Sequence, residues 1–237
     1  LLYADDLKIF RIVSSREDCL QLQSDINQIF KWSENNNLKL NLAKCKVISF
    51  TRNENKIIFD YSVNTVQLHR CSTFKDLGVI FDQKLSFIDH LCYITNAALR
   101  TLGFIVRNSR DFHSVPVLKI LYFSLVRSKL EYANIIWSPY YIYQKINLEK
   151  VQRRFLKLLC FRTDNTYPSR GTNQKYLLER FGFQSLHCRR LIASICFVVK
   201  LCRNRIDCPY LLFLIQFFVP SIYTRDKSMF ELRHYKT

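Results

Sequence analysis

A change of period near residue 86 does most to narrow what this chain can fold into. Before it, apolar residues alternate with polar ones: Leu38, Leu40 and Leu42 with Lys39 and Asn41, then Val47 to Phe50 after a Lys44-Cys45-Lys46 turn. The alternation resumes through Ile58-Phe59, Val63, Val66, Leu68 and Leu77 to Ile80. A period of two reads as half-buried strands, so a small antiparallel sheet is predicted. After residue 86 the spacing becomes three and four, with Leu91, Ile94, Ala98, Leu102 and Ile105 on one helical face. Further helices are predicted over 115–136, over 147–161 with the stripe Leu148, Val151, Phe155, Leu158 and Leu159, and near 174–180 and 186–203. The first of these ends at Trp137-Ser138-Pro139, because Pro disfavours helix at the residue before it. Four Gly and five Pro leave few hard breaks, which suits long helices with short connections.

The segment 1–12 is apolar on both sides of Asp5-Asp6, which predicts two short strands joined by a turn that carries both acids at its tip. Ser15 with Asp18 fits a capping box and opens a helix with Cys19, Leu22, Ile26, Ile29 and Phe30 on one face, ended by Asn35-Asn36-Asn37. Ser86 with Asp89 predicts a second box. Strand, helix and then strands, without regular βαβ alternation, points to an α+β fold. The expected organisation is 1–85, then a helical part over 86–165, then a basic helical region over 166–237.

The formal net charge is +17, and residues 97–237 hold 24 Lys and Arg against 8 Asp and Glu. So one-sided a charge implies a polyanionic partner, with a generically solvated basic surface as the plainer alternative. Nine Cys lie without any CxxC pair, which argues against a zinc site or a disulfide framework and predicts reduced intracellular thiols, mostly filling the core. The most apolar stretch, 191–219, is interrupted by Lys200, Arg203, Arg205 and Asp207, so no membrane span is expected. Met occurs once, at Met229, and residue 1 is Leu, which makes a fragment the natural expectation.

Adjacent carboxylates at a hairpin tip suit hard divalent cations, which take oxygen ligands and keep positions open for phosphate oxygens. A pair of Mg²⁺ ions can stabilise both the attacking and leaving oxygens of nucleotidyl transfer, but that needs a further carboxylate from another strand. The bland alternative is an exposed Asp-Asp turn without metal.

Tyr3-Ala4-Asp5-Asp6, after Leu1-Leu2, resembles the catalytic hairpin of reverse transcriptases. Trp32 and then Leu38-Lys39-Leu40-Asn41-Leu42-Ala43-Lys44-Cys45-Lys46 with Phe50 resemble the next palm motif of LINE-type (non-LTR) enzymes. Phe74 to Asp82, with Leu85, Phe87 and His90, is similar to their primer-grip segment. Leu130-Glu131-Tyr132-Ala133 with Trp137 and Pro139, then Leu148 to Arg154, look like the thumb of jockey-like elements.

The resemblance covers residues 1 to about 160 and implies an RNA-directed DNA polymerase of a non-LTR retrotransposon. It implies the later part of a palm, followed by an all-helical thumb and C-terminal helices. Asp5 and Asp6 would be catalytic ligands for Mg²⁺, and Lys44 would assist pyrophosphate departure, with an ordinary solvated turn lysine as the alternative. Leu77, Gly78 and Val79 would support the primer end. Lys150, Arg153, Arg154 and Lys157 would track the backbone of the template–primer duplex. The implied partners are an RNA template, a DNA primer and dNTP, with no membrane, in the nucleus or cytoplasm.

The family's first catalytic Asp, nucleotide-gating aromatic, fingers, endonuclease and zinc knuckle are not among these residues, so the chain as given is expected to be truncated and inactive. The competing reading is a non-catalytic basic helical module that holds nucleic acid. A peripheral membrane protein using 191–219 is the third.

Overall fold

The computed structural model describes residues 2–4, 6–52, 57–111, 114–169, 171–215, 217 and 230. The chain forms two compact units, Leu1–Tyr93 and Ile94–Thr237.

In the first unit, β1 (Leu2–Tyr3) and β2 (Asp6–Leu7) form an antiparallel hairpin with Tyr3 opposite Asp6. Helix α1 (Arg16–Asn35) opens with the expected capping box: the Ser15 hydroxyl accepts the Asp18 N–H, and the Asp18 carboxylate accepts the Ser15 N–H at 2.9 Å. The same carboxylate accepts the Ser14 N–H, and these bonds, Ser14 first, hold the Asp18 pKa below its ordinary value. The Asn run ends the helix, with Asn37 in the left-handed region at φ 56°. Of the expected apolar face only Cys19 is fully buried, while Leu22, Ile26, Ile29 and Phe30 are half-buried.

Among the described residues, four two-stranded pairs replace the single antiparallel sheet expected from the alternation. They are the β1–β2 hairpin, the parallel pair of β3 (Lys46–Val47) with β6 (His69–Arg70), and the antiparallel pairs of β4 (Ser62–Val63) with β5 (Val66–Gln67) and of β7 (Thr73–Asp76) with β8 (Val79–Asp82). The expected strand at 38–42 does not form. There the Asn41 and Leu42 carbonyls accept the Lys44 and Cys45 N–H groups, so the backbone spends its bonds on a local turn. Side chains do the joining instead. The Gln23 amide on α1 donates to the Ser62 carbonyl at 2.7 Å and accepts the Ser62 N–H at 2.9 Å, standing in for a neighbouring strand. Arg70 donates to Ser49 Oγ and to the Phe59 carbonyl, both at 2.6 Å.

Helix α2 (Ile88–Asn108) begins in the first unit and continues into the second, and all five residues of its expected stripe are buried. Its start is organised by Asp82 rather than by the expected Ser86–Asp89 box. The Asp82 carboxylate accepts the N–H groups of Lys84, Ser86 and Phe87 and the Ser86 hydroxyl. Burial alone would raise the Asp82 pKa, but these bonds outweigh it and lower it.

The helix expected over 115–136 is interrupted. α3 (Val115–Leu121) passes into a π-helical stretch at Tyr122–Arg127, then α4 (Ser128–Glu131), a break at Tyr132–Ala133 with Ala133 at φ 51°, and α5 (Asn134–Trp137). The Trp137 indole donates to the Tyr132 carbonyl at 2.7 Å, taking up an acceptor freed by the break. The stop before Ser138-Pro139 is where the Pro requires it.

Helix α6 (Ile142–Asp164) is the centre of the second unit. Its buried set includes the whole expected stripe and also Gln144, Gln152, Leu156 and Cys160, so the covered face is wider than the sequence pattern. The Tyr122 ring stacks on Phe155 at 4.2 Å, and its hydroxyl donates to Gln152, whose amide donates in turn to the Gln184 carbonyl. α7 (Gln174–Phe181) is capped by Asn173 and closed by Gly182 at φ 66°. α8 (Leu186–Cys202) starts at the Ser185 cap, and a short α9 (Pro209–Phe213), not expected from the pattern, follows. Among the described residues no helix is long and apolar enough to cross a membrane. The cysteines are not mostly core: only Cys19 and Cys160 are buried, and Cys92, Cys188 and Cys196 are exposed.

Candidate functional site

Tyr3-Ala4-Asp5-Asp6 spans the β1–β2 hairpin. Ala4 sits in the left-handed region at φ 50°, and Asp6 is exposed on β2 next to the tip. Asp5 lies outside the described residues. An exposed carboxylate is free to take a hard cation, but Asp6 is a single donor. Among the described residues no three His, Cys, Asp or Glu side chains gather to hold a metal. Those residues alone therefore do not complete a Mg²⁺ cage.

The segment after β2 is tied to the β7–β8 hairpin. Lys8 Nζ lies 2.7 Å from the Asp76 carboxylate at the end of β7, beside the Leu77–Gly78 turn. That turn has both residues at positive φ, 43° for Leu77 and 86° for Gly78, as a two-residue type I′ hairpin demands. Leu77 is half exposed at 47%, whereas Val79 is buried at 1%. Within the proposed primer grip, then, Leu77 can reach a ligand and Val79 supports the hairpin from inside. Behind Val79, His90 is buried and its Nδ1 accepts the Ile80 N–H at 3.2 Å. Burial, with Lys75 adding to it, pushes the His90 pKa down and favours the neutral ring this bond requires. Lys44 is exposed on the 42–44 turn, with its ammonium on the surface.

The four candidate backbone-tracking cations of α6 divide. Lys150 and Arg154 are exposed and Lys157 is half-buried. Lys150 donates to Asn147 Oδ1 at 2.9 Å, one turn back. Arg153 is different: its guanidinium donates to the Thr172 carbonyl at 2.9 Å, anchoring the chain that leads into α7.

Two features were not singled out by the sequence. A guanidinium cluster surrounds Glu131, which takes both Nε and Nη2 of Arg189 and lies 3.7 Å from Arg127. Nearby Arg190 is only 2% exposed. The second feature is an exposed tyrosine group at Tyr140, Tyr141 and Tyr143. The density of Tyr after Pro139 was its only signal, and single exposed aromatics mean little without the structure. No family model, curated protein or solved structure matches this chain.

Proposed function

We propose that this chain is reverse-transcriptase polypeptide of a LINE-type, jockey-like retrotransposon, serving RNA-directed DNA synthesis on an RNA template and DNA primer with dNTP and Mg²⁺. The observation that carries the reading is the order of four motifs along residues 1 to about 160, from Tyr3-Ala4-Asp5-Asp6 to Leu148–Arg154. The local geometry supports it. Asp6, exposed on a two-stranded hairpin, offers oxygen donors to a divalent cation, which in such chemistry neutralises charge on the transferring phosphate. The Lys8–Asp76 pair keeps that hairpin beside an exposed Leu77–Gly78 turn, a place where a primer backbone could approach closely. Exposed Lys44 can supply a mobile positive charge, and the Lys150–Arg154 face of α6 suits a phosphate backbone held without sequence preference.

The test joins this chain in frame behind the fingers and leading palm of a related LINE-type element. The expected result is Mg²⁺-dependent extension of a DNA primer on an RNA template, abolished by Asp5→Asn or Asp6→Asn. A chimera that folds and binds primer–template yet extends nothing would overturn the polymerase reading in favour of a non-catalytic nucleic-acid-binding module. Near-parental rates in both mutants would remove the metal-ligand assignment.

A further inference from the structure

Tyr140, Tyr141 and Tyr143 are 87%, 56% and 52% exposed, at the start of α6. Their rings are ordered against one another: Tyr140 meets Tyr141 edge-on at 5.6 Å, and Tyr141 stacks on Tyr143 at 5.7 Å with 23° between the planes. Among the described residues one hydroxyl contact holds the group, where Gln144 donates to the Tyr143 oxygen at 3.3 Å. Exposed Ile142 and Ile146 widen the patch. Folding does not account for it, because the core tyrosine of this unit, Tyr122, is fully buried against Phe155.

The patch continues into charge. Positions 143, 147, 150, 154 and 157 follow gaps of four and three, so Tyr143, Asn147, Lys150, Arg154 and Lys157 share one stripe of α6. At 1.5 Å per residue the stripe runs for about 21 Å. It carries no acid. The two acids of α6 are engaged elsewhere, Glu149 by the His187 N–H and the Gln174 amide, and Asp164 by Arg180.

We infer that Tyr140, Tyr141 and Tyr143 form a base-stacking platform for single-stranded nucleic acid, whose phosphates run on along Lys150, Arg154 and Lys157. Stacked rings accept any base, and a cationic track beside them holds the backbone, the combination that non-specific single-strand binders use. A second copy of the chain is a poor occupant, since it would bring the same net charge of +17 to the interface. A lipid surface is a poorer one: most of the apolar face of α6, with Val151 and Phe155 at 0% exposure, is buried, and its exposed Ile142 and Ile146 lie only in the first turns. The inference rests only on the nucleic-acid part of the proposed function. Primer extension decides the polymerase and stacking decides the platform, so their failures are distinguishable.

The whole chain is titrated with an end-labelled single-stranded oligonucleotide, with the matching duplex, and with a single strand carrying a fluorescent adenine analogue that stacking quenches. The parent chain should quench the analogue. Replacing the three tyrosines by Ala should weaken single-strand binding roughly 10- to 100-fold and remove the quenching, while leaving duplex affinity and the salt slope near the parent's. Tyr140→Phe, Tyr141→Phe and Tyr143→Phe together keep the rings and should stay within about twofold. Absence of quenching by the parent overturns the inference even if the Ala variant fails to fold. So does an Ala variant that binds as tightly as the parent, or a Phe variant that loses as much as Ala. Loss in the Ala variant of self-association or of binding to anionic vesicles, with oligonucleotide affinity unchanged, would assign the patch to that partner and overturn it equally.

Discussion

Lys8 Nζ sits 2.7 Å from the Asp76 carboxylate, with both side chains largely covered, and this pair couples the β1–β2 hairpin to the Leu77–Gly78 turn proposed as the primer grip. The hairpin has little else to hold it, since Leu2, Tyr3, Asp6 and Leu7 are all exposed. An isolated two-stranded hairpin is marginal in water. Asp76→Asn should therefore loosen residues 2–7, speeding amide exchange there by roughly two- to fivefold, as an ion pair worth about 0.2–1 kcal/mol implies. Exchange at α6 should not change. Unaltered exchange in the hairpin would mean that the pair does not hold it.

In the second unit, both terminal nitrogens of Arg180 grip the Asp164 carboxylate at 2.6 Å, joining the end of α6 to α7. The Arg180 bonds, the largest influence, lower the Asp164 pKa, and the same pairing raises that of Arg180. A depressed carboxylate pKa gives stability that is present above the unfolded value, near 3.9, and lost as pH falls through the folded value. Thermal melts of the parent and of Asp164→Asn should therefore differ at neutral pH and converge in acid below about pH 3.9. A difference that persists or grows on acidification would show that the pair is not the source.

Arg190 offers the opposite sign. Its guanidinium is buried, and Nη1 and Nη2 have no hydrogen-bond partner among the described residues. Burial lowers its pKa, and Glu149 and Glu131 only partly offset that. Two guanidinium nitrogens buried without a hydrogen-bond partner among the described residues are costly, so Arg190→Met should raise stability by about 1–3 kcal/mol in urea unfolding. Destabilisation by a similar amount would mean that the guanidinium has a partner the mutation removes.

How much of this was legible differed from element to element. The α2 stripe could be read residue by residue, because an amphipathic helix carries its own partner-independent period. The α1 cap was equally plain, since Ser15 and Asp18 are three apart on one backbone. The alternation at 38–42 misled, because a period of two shows which side chains share a face but not whether another strand arrives to pair with it. The π-helical stretch was not legible either, for it lies where Tyr122 packs on Phe155, 33 residues along the chain. In the candidate site, the residue types of the carboxylate hairpin and of the Leu77–Gly78 turn were plain, and the Lys8–Asp76 tie was not. On α6 the basic residues could be counted, but only tertiary contact separates Arg153, bonded to Thr172, from its exposed neighbour Arg154.

That separation gives the last prediction. If phosphate binding on α6 releases counterions, log affinity for a duplex falls linearly with log salt, by about 0.9 for each phosphate neutralised. Arg154 is exposed on the cationic stripe, so Arg154→Ala should lower that slope by about 0.9 and leave unfolding within about 0.5 kcal/mol of the parent. Arg153 is half-buried and its Nη2 donates to the Thr172 carbonyl. Arg153→Ala should leave the slope nearly intact and cost about 1–3 kcal/mol of stability, because it strands an acceptor and removes packing where the chain enters α7. Fluorescence anisotropy across a salt series and urea unfolding measure both quantities on the same proteins. If Arg153→Ala flattened the slope and spared stability, the phosphate track would run along the other edge of α6. Two unchanged slopes would take the duplex off this helix altogether.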